Sequence, residues 1–113
     1  MIRNAQIEDT MLGLGGYRCL SCVLTLDYGD SGHQDFGTYI LLDDQVEGKR
    51  VGIPYGAETI ISILQTVGVG SWEELRGKHV RAIIEDGRVK RIGNILKDVW
   101  FSPEELAKAM GVT

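Results

Sequence analysis

The chain is poor in the side chains that most often carry chemistry. Its 113 residues include two cysteines and two histidines. Cys19-Leu20-Ser21-Cys22 has C-x-x-C spacing, and with His33 and His79 it would supply four ligands for tetrahedral zinc. The pair lies inside a segment that reads as a strand. Residues three apart on a strand point to opposite faces, so the two sulfurs diverge. No helix follows the pair to stabilise a thiolate. The reading is two structural thiols, with Cys22 on the core face, and no metal, cofactor or disulfide. There is no G-x-S-x-G, no H-E-x-x-H and no paired carboxylate with an obvious role, so no catalytic residue and no enzyme is expected. No apolar run approaches the ~18 residues that span a bilayer. Residues 1–9 lack the apolar stretch of a secretory leader, so the expected location is the cytoplasm, with no membrane partner.

What is present is the composition of a globule: 43% hydrophobic and 25% charged residues, enough for one domain over 1–113 with its own core. Charge is unevenly spread. Residues 76–97 carry seven Lys and Arg against two acids, while residues 1–45 carry two Arg against seven acids. The formal net charge of −4 and a pI near 5.1 argue against general nucleic-acid binding.

Periodicity gives the elements. Residues 2–12 read as a strand, and the glycines at 13, 15 and 16 as a turn. Residues 17–27 are the clearest strand, with Leu20, Cys22, Leu24 and Leu26 on one face. Residues 27–37 read as a loop, 38–43 as a third strand, and 44–50 as a polar loop. Residues 56–67 read as the main helix, with Ala57, Ile60, Ile61, Leu64 and Val67 as its buried stripe, widened by Ile63. Ser71-Trp72-Glu73-Glu74 predicts a single helical turn. Residues 78–85 and 88–96 form a hairpin around Asp86-Gly87. Ser102 caps a last helix that has Pro103 at its first position and Gly111 as its stop. The fold class is therefore α+β: a curved antiparallel five-stranded sheet in the order β-β-β-α-β-β-α, curved enough to approach a barrel, with one main helix and a short C-terminal helix. Two helices cannot cover both faces of such a sheet. Part of one face is wet or covered by a second copy, so a homo-oligomer is expected.

Three stretches are candidate ligand sites, each with a plain structural alternative. The 27–37 loop is either a turn-rich connection or a ligand loop, where Tyr28, His33 and Phe36 offer a stacking face to a base. Asp27, Asp30 and Asp35 lack the spacing of a calcium loop. Arg50-Val51-Gly52-Ile53-Pro54-Tyr55-Gly56 leads into the main helix. It is either a simple helix start or an anion site using free N–H groups, with Arg50 on a phosphate and Tyr55 stacking above the open Gly56. The basic hairpin is either a solvated tip or a phosphate contact through Arg91 and Lys97, with Asn94 on a base or ribose. Its strands lack the interleaved aromatics of a nucleic-acid platform. Trp100 and Phe101 are expected to pin the last helix to the sheet.

Residues 26–32, 66–78 and 92–105, Leu-Asp-Tyr-Gly-Asp-Ser-Gly, Thr-Val-Gly-Val-Gly-Ser-Trp-Glu-Glu-Leu-Arg-Gly-Lys and Ile-Gly-Asn-Ile-Leu-Lys-Asp-Val-Trp-Phe-Ser-Pro-Glu-Glu, resemble a group of small phage and prophage accessory proteins. The resemblance implies a setting, an infected bacterium, in which such proteins often counter host defence. Two activities follow as expectations. The first is a non-enzymatic sponge that sequesters a small cyclic nucleotide or an ADP-ribose-derived signal, using Tyr28, His33, Phe36, Arg50, Tyr55, Gly56, Arg91, Asn94 and Lys97. The second is an anti-CRISPR-like inhibitor whose acidic face, Asp27, Asp30, Asp35, Asp43 and Asp44, binds a host defence protein. A virion structural or morphogenesis role is the third reading.

Overall fold

The computed structural model describes residues 1–15, 18–29, 32–38 and 40–112. The elements are β1 (Ile2–Leu14), β2 (Leu20–Asp27), β3 (His33–Phe36), β4 (Asp43–Val46), β5 (Lys49–Gly52), α1 (Pro54–Val67), a 3-10 turn (Trp72–Glu74), β6 (His79–Glu85), β7 (Arg88–Asn94), β8 (Trp100–Phe101) and α2 (Pro103–Ala109). Six strands pair in the order β3-β2-β1-β6-β7-β8, and β4-β5 is a separate hairpin. Every pairing is antiparallel. None of the helices is long and apolar enough to cross a membrane among the described residues.

The α+β class and the two helices agree with the sequence reading, but the strand count and order do not. Residues 38–43 are not the third strand. Ile40 and Leu42 are buried, yet they sit in irregular backbone, and Tyr39 lies outside the described residues. Their apolarity reflects burial under the sheet, not a place in its ladder. Leu42 N–H donates to the Leu20 carbonyl at 3.2 Å, and Leu42 C=O accepts from Ile53 at 3.4 Å. The third strand is instead His33–Phe36, in the stretch read as loop. A turn closed by Gly29 and Gly32, both at positive φ, folds it back on β2. The 44–50 loop is likewise a hairpin, turning through Glu47 and Gly48 at φ 50° and 79°. Asp86 and Gly87 make the expected turn, at φ 54° and 73°, the double positive φ that a two-residue hairpin favours.

The sheet curls without closing. Its edge strands still meet in the core, where Phe36 of β3 packs edge to face on Phe101 of β8 with centroids 6.2 Å apart, and at the surface Gln34 of β3 donates its side-chain amide to the Gly87 carbonyl in the β6-β7 turn. Ala5, Ile7, Leu24, Leu26, Val80, Ala82 and Ile92 point inward, where α1 covers them. The fully buried residues of α1 are Tyr55, Gly56, Thr59, Ile63 and Thr66, and Ile60, Leu64 and Val67 of the stripe read from periodicity pack against the core beside them. Ala57 and Ile61 are exposed. Gly56 rests directly on the Leu42 backbone. Gly68, at φ 90°, ends α1, and Ser102 Oγ accepts from Glu105 N–H at 3.2 Å to cap α2.

Trp100 and Phe101 take opposite faces of the sheet edge. Phe101 enters the core. Trp100 lies over Gly93 on the other side, with the Arg81 guanidinium 4.5 Å from its ring. The start of α2 is tied down by Tyr55, whose hydroxyl donates to the Pro103 carbonyl at 3.1 Å.

Candidate functional site

The register of β1, β2 and β3 places acids in rows on the face turned away from the core. Asp27 pairs with Gln6 of β1 and His33 of β3, and Thr25 pairs with Asp9 and Asp35. Between Ile7 and Asp9 the register slips by one residue, so β1 carries a bulge at Glu8. A bulge re-aims a side chain. Here it leaves Ile7 in the core and turns both Glu8 and Asp9 away from it. Glu8 Oε1 lies 2.8 Å from His33 Nδ1. Glu8, Asp27 and His33 each have a donor atom within 4.8 Å of the other two. Asp27 Oδ1 also accepts the Gly29 N–H at 2.8 Å, and Asp35 Oδ1 accepts from Thr25 Oγ1 at 2.9 Å. The neighbouring Arg76 spends its Nε on the Glu8 carbonyl at 3.2 Å.

The nine residues expected to hold a nucleotide do not gather in one place. Phe36 is fully buried and cannot stack on a ligand. Tyr55 is buried, and Gly56 faces Leu42, so the start of α1 meets the protein's own backbone and not an anion. Burial raises the Tyr55 hydroxyl above its ordinary pKa. Asn94 is fully engaged. It donates to the Thr66 and Val67 carbonyls at 3.0 and 3.3 Å, and accepts from Leu96 and Lys97 N–H. Tyr28 hydrogen-bonds Gln34 at 3.1 Å, and Arg3 lies over its ring at 5.3 Å. Burial raises the Tyr28 pKa, with Arg3 opposing. Arg91 reaches Glu105 at 3.0 Å across a cleft of about 350 Å³ that also holds Glu85, Asp86, Lys90, Glu104 and Lys108. Its four carboxylates outnumber its three cations, and Arg91 and Lys108 already pair with Glu105 and Glu104, so the cleft does not favour an anion. Lys97 is exposed, and its carbonyl accepts from Arg81.

Arg50 is bound to Asp43 by two hydrogen bonds, at 2.6 and 3.0 Å. Asp43 also accepts the Leu20 N–H at 3.0 Å, which fastens the β4-β5 hairpin to the start of β2. The Arg50 hydrogen bonds hold the Asp43 carboxyl below its usual range, with burial opposing them and the Leu20 N–H adding to them. A lowered carboxyl stabilises the fold above its unfolded pKa, and the gain disappears as pH falls through the lower folded value. Asp43→Asn is therefore expected to melt several degrees below wild type at neutral pH. The gap should close on acidification, below the ordinary Asp pKa of about 3.9. Paired thermal melts across pH test this; a gap that persists in acid contradicts it.

Cys22 is buried, and burial pushes its thiol up to about 11, so it holds almost no thiolate at neutral pH. Cys19 and Cys22 are both free thiols. Sequence reasoning missed Glu8 as a partner of His33, because nothing in the chain advertises the bulge. The pattern that could have exposed it is Ile7-Glu8-Asp9-Thr10, where two acids interrupt strict alternation.

Comparison with known proteins finds no matching family model, no matching curated protein and no matching solved structure.

Proposed function

We propose that the protein is a non-enzymatic binding module that docks on a basic partner surface through the acidic face of β1, β2 and β3. In the phage setting that the sequence resemblance implies, the partner is a host defence protein. One observation carries the reading: Glu8, Asp9, Asp27 and Asp35 occupy adjacent register rows on a face that neither helix covers. Strands about 4.8 Å apart, with like-facing residues about 6.6 Å apart along each, make a regular array of negative charge. Such an array attracts a cationic surface and speeds encounter with it. It disfavours a second copy meeting it face to face, because carboxylates would oppose carboxylates.

The acid set differs from the one first read. Asp43 turns inward to Arg50, Asp44 lies on the separate hairpin, and Asp30 is outside the described residues. Glu8 and Asp9 take their place. The nucleotide-sequestering reading draws less support, since Arg50, Tyr55 and Asn94 spend their polar groups on the protein itself.

The test is affinity capture from host lysate with wild type and with Glu8→Gln/Asp9→Asn/Asp27→Asn/Asp35→Asn as baits. A partner held at about 0.1 M salt should be released at about 1 M, where the screening length falls from about 10 Å to about 3 Å. The neutralised bait should not retain it at either salt. A partner held equally by both baits would place the contact elsewhere. Capture of nothing, beside a melting-temperature rise with a cyclic nucleotide, would return the sponge reading.

A further inference from the structure

We infer that Glu8, Asp27 and His33 together bind one divalent transition-metal ion. Three neighbouring strands deliver the donors. Asp27 and His33 are cross-strand partners, so their backbones are fixed opposite one another. The bulge brings Glu8 from β1 to the same point. The donor atoms lie within 4.8 Å of one another. Zinc-like ions hold N and O donors at about 2.0–2.2 Å, so only small side-chain rotations bring all three onto one ion.

The chemistry of the set selects the ion. One imidazole and two carboxylates suit Zn²⁺, Mn²⁺, Fe²⁺, Co²⁺ or Ni²⁺. Calcium would need about six to eight oxygens, and these three residues fall well short. Three protein donors leave open coordination positions for water or a partner's side chain.

Electrostatics favours a cation at this point. Neither the Glu8 nor the Asp27 carboxylate has a Lys or Arg in ion-pairing contact among the described residues. Among the described residues the one ion-pair neighbour of Glu8 is His33, which is neutral when it acts as a ligand. Asp9 and Asp35, in the adjoining row, add negative potential. The Gly29 N–H holds one oxygen of Asp27 and so orients its carboxylate. Outer contacts of this kind commonly fix a metal ligand in place. The inference does not depend on the docking role, because it concerns the isolated protein.

The experiment is titration of chelator-treated protein with ZnCl₂ and with CoCl₂, followed by calorimetry, by amide chemical shifts and, for cobalt, by visible absorption. The expected result is one ion per chain. Zinc-induced shifts should be confined to residues around 8, 27 and 33, and the cobalt spectrum should lack a thiolate charge-transfer band. His33→Ala and Asp27→Asn should each weaken binding at least tenfold while their amide spectra stay folded. His79→Ala should change it less than twofold. His33→Gln, which keeps a polar side chain of similar reach, guards against a fold effect and should behave as His33→Ala does. Binding that survives both His33 variants, or a thiolate band, overturns the assignment. So does the absence of heat and shifts up to about 1 mM free ion, the weak end of specific affinity. Glu8 and Asp27 also belong to the docking face, so loss of metal binding in His33→Ala with partner capture intact would support the site and show that docking does not require the ion.

Discussion

Phe36→Ala is expected to destabilise the protein by about 3–5 kcal/mol, the range for deleting a buried aromatic ring and leaving a cavity. The ring is fully buried and stands edge to face against Phe101. An aromatic pair adds about 0.5–1.5 kcal/mol beyond its area. The position magnifies the loss, because Phe36 and Phe101 join β3 and β8, the two open edges of a sheet that curls without closing. With about 4 °C of melting temperature per kcal/mol for a domain just above ~100 residues, the fall should be of order 12–20 °C. Thermal and urea unfolding of wild type, Phe36→Leu and Phe36→Ala would measure it. Phe36→Leu keeps most of the volume and should recover more than half of the loss. Had this ring been a surface platform for a base, truncation would cost no more than about 0.5 kcal/mol. A cost below ~1 kcal/mol would therefore contradict the packing described above.

The second large effect is at Gly56. A Cβ there would lie 2.2 Å from the Leu42 carbonyl oxygen and 2.9 Å from the Leu42 Cα. These are backbone atoms, and Leu42 is tied by its own hydrogen bonds to Leu20 and Ile53. It cannot swing aside as the end of a side chain would. Two effects oppose each other in Gly56→Ala. Alanine favours the helix by about 1 kcal/mol over glycine. Overpacking a tight contact costs about 1–3 kcal/mol and occasionally more. Contact at 2.2 Å against fixed backbone belongs at or beyond the top of that range. The net is an expected loss of about 2 kcal/mol or more, read as a lower denaturation midpoint. Gly13→Ala is the control: nothing lies within 4 Å of its Cβ position, and it should be neutral within about 0.5 kcal/mol. A Gly56→Ala protein as stable as wild type would mean that α1 does not sit on Leu42.

Where local chemistry decides the structure, the sequence was legible. Asp86-Gly87 names its hairpin, Gly68 and Gly111 mark helix ends, and Ser102-Pro103 starts α2 in both readings. Where distant partners decide, it was not. His33–Phe36 has a single core residue, and it becomes a strand because Gly29 and Gly32 return it to β2. Ile40 and Leu42 look like a strand by apolarity, yet they are buried in irregular backbone. The nucleotide site draws less support for a related reason. Arg50, Tyr55 and Asn94 carry chemistry that suits a ligand, and the same chemistry serves Asp43, the Pro103 carbonyl and the end of α1. Asp43–Arg50 becomes readable once residues 43–52 are seen as a hairpin, since Gln45 pairs with Arg50 and Asp43 lies diagonally beside it on the same face. The Glu8 bulge has no such local cue.

β1 lies inside the six-stranded sheet, with β2 on one side and β6 on the other, and its β6 contacts include Ile2 with Ile83 and Gln6 with His79. Of the strands described, β1 is synthesised first and is therefore among the last to be completed. Until residues near 80 emerge, the β6-facing side of the nascent β1 stays open, and long-range pairing of this kind is slow to form. During synthesis the chain thus carries an unsatisfied strand edge that the finished protein does not show, and any helper that binds exposed edges would meet it there.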